Sequence, residues 1–86
     1  MLCTINRPIQ AHVTFNPDAR RPDLESFDWA HRHYVVDRIN QVHRERRGET
    51  VVLCYSVSCG RDHFSVRFDT HECRWILESV FDPDES

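Results

Sequence analysis

The sequence lacks lysine entirely, although eleven of its 86 residues are basic, and it has only two glycines and four prolines. This composition excludes collagen-like and low-complexity chains. No apolar run approaches the roughly 18 residues that a membrane-spanning helix needs, so no membrane contact is expected. The net charge of −3 disfavours the simplest kind of nucleic-acid binder. We therefore expect residues 1–86 to form one small domain, with an ordered core over about 9–82 and frayed ends at 1–8 and 82–86.

The four cysteines, Cys3, Cys54, Cys59 and Cys73, include no C-x-x-C pair. The first residues lack the apolar segment of a secretory signal peptide. Without that route to an oxidising compartment, cysteines are expected to remain as thiols. The sequence therefore predicts a cytoplasmic protein with free thiols.

Alternating apolar and polar residues predict an antiparallel sheet. Residues 9–15 have the period-2 pattern of a half-buried strand. Further along the chain, four tight turns would be centred on His31–Arg32, Arg47–Gly48, Gly60–Arg61 and His71–Glu72. These turns would pair Phe27 with Val36, Trp29 with Tyr34, Val42 with Leu53, Leu53 with Phe68, Tyr55 with Val66, Val57 with Phe64, Phe68 with Trp75, and Val66 with Leu77. Because opposed residues share a face, all of these large side chains would lie on one side of the sheet.

One segment does not fit this pattern. A strand over 33–46 would be about 14 residues long, well above the usual 5–6, and it would place Arg38 and Asn40 on the apolar face. A bulge or bend near Asp37–Asn40 would restore the alternation and let the sheet curl. The outer face would then be covered by Val35, Ile39, Val52, Ile76 and Val80. We predict an all-β fold, an antiparallel meander of five strands plus an N-terminal strand, curled into a small barrel-like sheet. The alternative is an α+β fold with a helix at about 27–47, because the apolar residues there also approximate a helical stripe.

Two segments of the chain carry a family resemblance. The first is Phe27-Asp28-Trp29 followed by Tyr34-Val35-Val36, and the second is Trp75-Ile76-Leu77 followed by Val80-Phe81-Asp82. Together they resemble a family of small bacterial domains of unknown function, over roughly residues 9–82. Similar domains stand alone or occur at the C-terminus of a polymerase-like subunit of translesion DNA repair. The resemblance implies a small β domain with a link to DNA metabolism, and it implies no catalytic residues.

Histidine and cysteine are frequent enough to raise the question of a metal site. Two sets contain the ligand types that zinc accepts, namely Cys59, His63, His71 and Cys73, and His31, His33, Cys59 and His63. In the predicted sheet the Cys59–His63 pair of the first set lies more than about 20 Å from the His71–Cys73 pair, and in the second set His33 lies more than about 10 Å from the end of the strand that carries Cys59. No metal site or cofactor is therefore expected. Cys59, near Arg61 and His63, is the only candidate nucleophile, and a cysteine beside a tight turn is more often just a turn residue, so the chain is not expected to be an enzyme.

Two surfaces remain as candidate interaction sites. The last predicted strand has no partner beyond the preceding strand, so Ile76, Val80 and Phe81 could pair with another protein at a sheet edge. This favours an accessory or adaptor module that contacts proteins. The alternative is a nucleic-acid-associated module, because a cluster on one predicted hairpin tip suits phosphate contact. That cluster consists of His43, Arg44, Arg46 and Arg47.

Overall fold

A computed structural model describes residues 2–81, which form eight strands and no helix. The strands are β1 (Leu2–Pro8), β2 (Gln10–Asn16), β3 (Arg21–Trp29), β4 (Arg32–Val35), β5 (Arg38–Arg47), β6 (Thr50–Cys59), β7 (Asp62–Asp69) and β8 (Arg74–Phe81). The predicted all-β class is confirmed, and the alternative helix at 27–47 is wrong. None of the described residues forms a helix that could cross a membrane.

The strands form two open antiparallel sheets. The larger sheet has the order β1-β8-β7-β6-β5, and the smaller has the order β2-β3-β4. One face of each sheet contributes to a shared core, whose buried members are Leu24, Phe27, Leu53, Tyr55, Val57, Cys59, Phe64, Val66 and Leu77. The larger sheet is not closed into a barrel, since β1 and β5 stay at its two edges. The smaller sheet covers the core. The prediction had instead assigned this role to a curled continuation of a single sheet.

The pairings predicted for the second half of the chain are confirmed. Leu53 lies opposite Phe68, Tyr55 opposite Val66, and Phe68 opposite Trp75. A register shift in the β7–β8 ladder then turns Val80 towards the core. The expectation that Val80 covers the outer face is wrong, because this shift changes the alternation near the end of β8.

The first two hairpins differ from the predicted register by two residues. Phe27 lies opposite Tyr34 rather than Val36, and Val42 lies opposite Tyr55 rather than Leu53. Since side chains alternate with a period of two, a shift of two residues leaves the apolar residues of the predicted pairs on the same face. The shared-face prediction is therefore confirmed although these turn positions are wrong.

The predicted irregularity near Asp37–Asn40 is confirmed. The chain leaves the smaller sheet after Val35, enters the larger sheet at Arg38, and shifts register between Ile39 and Gln41. The shift lets Ile39 pack against the core, which corrects its expected place on the outer face. The long strand expected over 33–46 is thus divided between two sheets, and this division prevents a continuous curled sheet.

Strand β1 corrects the predicted chain ends. Residues 2–8 are not frayed but pair with β8, for example Leu2 with Phe81 and Cys3 with Val80. The edge predicted at Ile76, Val80 and Phe81 is therefore not a free edge, because β1 takes up its hydrogen-bonding groups. Residues 82–86, expected to be frayed, lie outside the described residues.

The β3–β4 turn provides a test of backbone strain. Ala30 and His31 have φ of 53° and 62°, which is the left-handed region that glycine adopts freely. Two-residue hairpins of this kind favour Asn-Gly or Gly-Gly. We expect His31→Gly to raise the free energy of unfolding by about 1 kcal/mol, because it relieves this cost. Urea denaturation measures the change.

The matched control is Thr14→Gly, at an exposed position in extended β2. There glycine only adds freedom to the unfolded chain, so a loss of about 0.5–1 kcal/mol is expected. If both substitutions destabilise equally, the turn is not strained at His31.

Candidate functional site

Strand alternation divides the predicted basic cluster between two faces of β5. His43 lies opposite Cys54 on the outer face, and Arg47 shares that face. Arg44 lies opposite the core residue Leu53, and Arg46 shares this inner face. The structure therefore does not bring the four residues together as one patch. It forms two pairs with different surroundings.

Acidic side chains neutralise the outer pair. Arg47 lies 3.4 Å from Glu45 and 3.3 Å from Glu78, each measured from guanidinium nitrogen to carboxylate oxygen. Glu78 also accepts a hydrogen bond of 2.9 Å from Arg67, and His43 lies 3.7 Å from Glu45. The outer face of the hairpin is therefore an ion-pair network rather than a free basic surface.

The inner pair is available to a ligand. Within residues 2–81, neither Arg44 nor Arg46 has a carboxylate within ion-pair distance, and both are exposed. Arg44 also borders a notch of about 130 Å³ with Arg21 and Ala19 from the β2–β3 hairpin. Arg44 and Arg46 are therefore exposed cations of β5 that no described carboxylate neutralises.

The two ends of the larger sheet are unequal as docking edges. At one edge, β1 changes register between Thr4 and Arg7 and ends in Pro8, which has no N–H group to donate. At the other edge, β5 is ten residues long, and its register with β6 is regular from Gln41 to Arg47. In the smaller sheet β4 has only four residues. Strand β5 therefore presents the longest free row of backbone donors and acceptors in the described sheets.

The surroundings of the two buried cysteines, Cys54 and Cys59, disfavour their thiolate forms. Burial raises the pKa of Cys59 to about 11, and the carboxylates of Asp37 and Asp62 act in the same direction. Burial raises the pKa of Cys54 to about 11 as well, together with its hydrogen bond to Glu45. The suggestion that Arg61 and His63 activate Cys59 finds no support in this environment, since its thiolate is disfavoured.

Alkylation checks this description of the thiols. A rise in pKa from 9.0 to about 11 lowers the thiolate fraction at neutral pH about a hundredfold. We expect iodoacetamide to label exposed Cys3 and Cys73 much faster than Cys54 and Cys59 in the folded protein. Mass spectrometry of the digested protein follows each site, and urea-unfolded protein is the control in which all four react alike. Labelling of Cys59 at the rate of Cys73 would contradict the stated environment.

The two sets of metal ligands considered in the sequence do not converge. Groups of ligand atoms within 4.8 Å of one another occur twice in the described residues, and neither group is one of those sets. His63 accepts or donates a hydrogen bond with Ser58 instead. Of the residues considered, only His33 belongs to a close group, together with Asp28 and His12. Sequence reasoning missed this group because it requires the pairing of β2 with β3.

Comparison with models of known protein families, with curated proteins and with solved structures found no match. The resemblance to the small bacterial domains therefore stays a prediction.

Proposed function

We propose that this protein is a non-catalytic binding module that accepts an extended acidic segment of another protein as an added strand beside β5. The observation that supports the proposal is the free edge of β5, ten residues long with four arginines. Strand addition uses main-chain hydrogen bonds for affinity and the alternating side chains for specificity. The four free thiols fit a reducing compartment, and we propose the cytoplasm.

The side chains on the inner face of β5 define the segment that would fit. Arg44 and Arg46 are two residues apart, so they project on the same side of the strand. An added strand with acidic residues at alternate positions would place one carboxylate beside each guanidinium. Val42 continues the same face and packs against the core, so an apolar residue is favoured two positions further along. The expected recognition pattern is two alternate acidic residues and one apolar residue.

Charge also selects against a second copy at this edge. Strand β5 carries four arginines against one glutamate, so two such edges would repel each other. Strand β2 differs, because it has no Asp, Glu or Arg and its Val13 and Phe15 are 41% and 62% exposed. Any self-association is therefore expected at β2 and leaves β5 free. The proposed partner at β5 is a different protein.

Nucleic-acid binding is the second candidate, and one observation favours it. Arg44 and Arg21 border the same notch, and guanidinium groups suit phosphate contact. The family resemblance adds an expectation of a link to DNA repair. However, Arg47 is neutralised, and the rings of Phe27, Tyr55 and Phe64 are buried where they cannot stack on bases. Strand addition would involve most of the β5 edge, whereas phosphate contact would involve only the arginines at the notch.

Fluorescence anisotropy with two labelled probes tests the choice. The first probe is an extended peptide with alternate glutamates followed by valine, and the second is single-stranded DNA. We expect the peptide to bind and the double variant R44E/R46E to weaken it by at least about tenfold, which corresponds to 1.4 kcal/mol. The matched control is R7E/R32E, which makes the same charge change on edge strands β1 and β4 and should leave peptide binding unchanged.

Three results would contradict the proposal. Failure of the peptide to bind, or equal weakening by the two double variants, would remove β5 as its site. A salt-sensitive complex with DNA and none with the peptide would favour the nucleic-acid candidate, since phosphate contacts depend strongly on salt. Light scattering on the same samples separates peptide binding from self-association through β2.

A further inference from the structure

Three side chains on the outer face of the smaller sheet converge on one point. The Asp28 carboxylate lies between two imidazoles, with His12 Nε2 at 3.0 Å from Oδ2 and His33 Nδ1 at 2.7 Å from Oδ1. His12 lies in β2, Asp28 in β3 and His33 in β4. The two imidazole centroids are 5.9 Å apart.

Backbone pairing holds this group in place. Asp28 lies directly opposite His33 in the β3–β4 hairpin, and Gln10, two residues before His12, lies opposite Asp28 on the other side. A site built on three adjacent strands is better fixed than one on loops. The core-facing neighbours of Asp28 are Phe27, which is buried in the core, and Trp29, which is partly buried and packs against it. The strand that carries the carboxylate is therefore anchored from its other face.

We propose that His12, Asp28 and His33 form a binding site for a divalent transition metal ion, with Zn²⁺ as the best-suited ion. Two imidazoles and one carboxylate are ligands that zinc accepts. All three ligand atoms lie within 4.8 Å of one another, so small side-chain rotations would bring them around one ion. Each ligating imidazole nitrogen must offer its lone pair to the ion, so the single N–H of a neutral ring then lies on the other ring nitrogen.

The electrostatic surroundings favour the ion. Both carboxylate oxygens of Asp28 already face an imidazole nitrogen, so the negative charge lies between the two nitrogen ligands. Within the described residues, Asp28 has no arginine partner that would compete with a metal ion. The side chains of His12, Asp28 and His33 are 48%, 41% and 53% exposed, which gives an ion open access from solvent.

The other close group of ligand types is a poorer site. It consists of His43, Glu45 and Cys54. Arg47 lies 3.4 Å from Glu45 and would repel a cation there. The Cys54 thiol, whose pKa is raised to about 11, resists the deprotonation that zinc ligation needs. This group is a structural network, so the smaller sheet is the better-suited face for a metal ion.

Calorimetric titration of the reduced full-length protein with Zn²⁺ tests the site. We expect one equivalent to bind, and H12A, H33A and D28N each to weaken binding by at least about tenfold. The matched control is H71A, which removes an exposed histidine of the β7–β8 turn and should leave affinity unchanged. Thermal unfolding without metal confirms that each surface variant is folded. Titration with Co²⁺ gives a second readout, since a site without cysteine shows no thiolate charge-transfer absorption.

Three results would overturn the inference. The first is the absence of binding in the unsubstituted protein, and the second is equal Zn²⁺ affinity in H12A, H33A and H71A. Thiolate absorption with Co²⁺ that disappears in C3S/C73S would assign the bound ion to the exposed cysteines instead. The double variant R44E/R46E changes neither a ligand nor a strand of this site. It should therefore bind Zn²⁺ as tightly as the unsubstituted protein while its peptide binding is weakened, so the metal site and the proposed function can fail independently.

Discussion

Phe27→Ala is expected to lower the free energy of unfolding by about 3–5 kcal/mol, the usual range for truncating a buried phenylalanine. Phe27 is fully buried. Its ring stacks on Tyr34 of the smaller sheet and meets Phe64 of the larger sheet edge-on, each at 5.2 Å between centroids. The substitution leaves a cavity between the two sheets. Because domains of this size are stable by only about 5–15 kcal/mol, a large part of the folded stability would be lost.

Urea denaturation followed by tryptophan fluorescence measures this loss. Phe15→Ala is the control, since Phe15 lies on edge strand β2 and is 62% exposed. It is expected to change stability by less than about 0.5 kcal/mol. Equal effects of the two substitutions would mean that the smaller sheet does not pack on the larger one as described.

Removal of residues 1–8 is expected to have the next largest effect. The deletion takes away β1 and exposes the hydrogen-bonding edge of β8. It also removes Ile5, which packs against the core, so a loss of about 2–3 kcal/mol is expected. An uncovered edge pairs readily with other chains. We therefore expect the truncated protein to be less stable and to form oligomers at high concentration, as measured by denaturation and light scattering.

A peptide of residues 2–8 supplies the matched control. Added in excess, it should pair with β8 and return the truncated protein to a monomer, whereas a scrambled peptide should not. A truncated protein that stays monomeric and as stable as the full chain would contradict the assignment of β1. This experiment also examines Ile76, Val80 and Phe81, which become an edge only after the deletion.

The sequence predicted the second half of the fold well because its signals are local and unambiguous. Gly60 begins a tight turn, and alternating large residues in β6 and β7 leave one register that buries them all. The β3–β4 turn was misplaced because Ala30 and His31 adopt the left-handed conformation without glycine. Strand β1 was missed because a register shift and Pro8 interrupt its alternation. Local signals thus identified hairpins but not long-range pairing.

The candidate sites show the same limit. Arg44 and Arg46 could be identified from composition, whereas their separation from Arg47 follows from strand alternation and from the carboxylate of Glu78, which comes from β8. The group of His12, Asp28 and His33 depends on two pairings at once. A turn predicted one residue too late shifted the pairing by two residues and placed Asp28 opposite Val35 rather than His33, so the group could not be recognised. A site that spans separate hairpins can be recognised only when the order of the strands in the sheet is known. The local sequence pattern did not reveal that order.

Amide hydrogen exchange along β5 tests the proposed function most directly. In the free protein, every second amide between Gln41 and Arg47 should exchange rapidly, because β5 has a neighbour on one side only. Saturation with the acidic peptide should slow exchange at those alternate amides and leave the edge amides of β2 and β4 unchanged. Rapid exchange that persists along β5 in the saturated complex, or protection that appears at another edge, would contradict strand addition at this site.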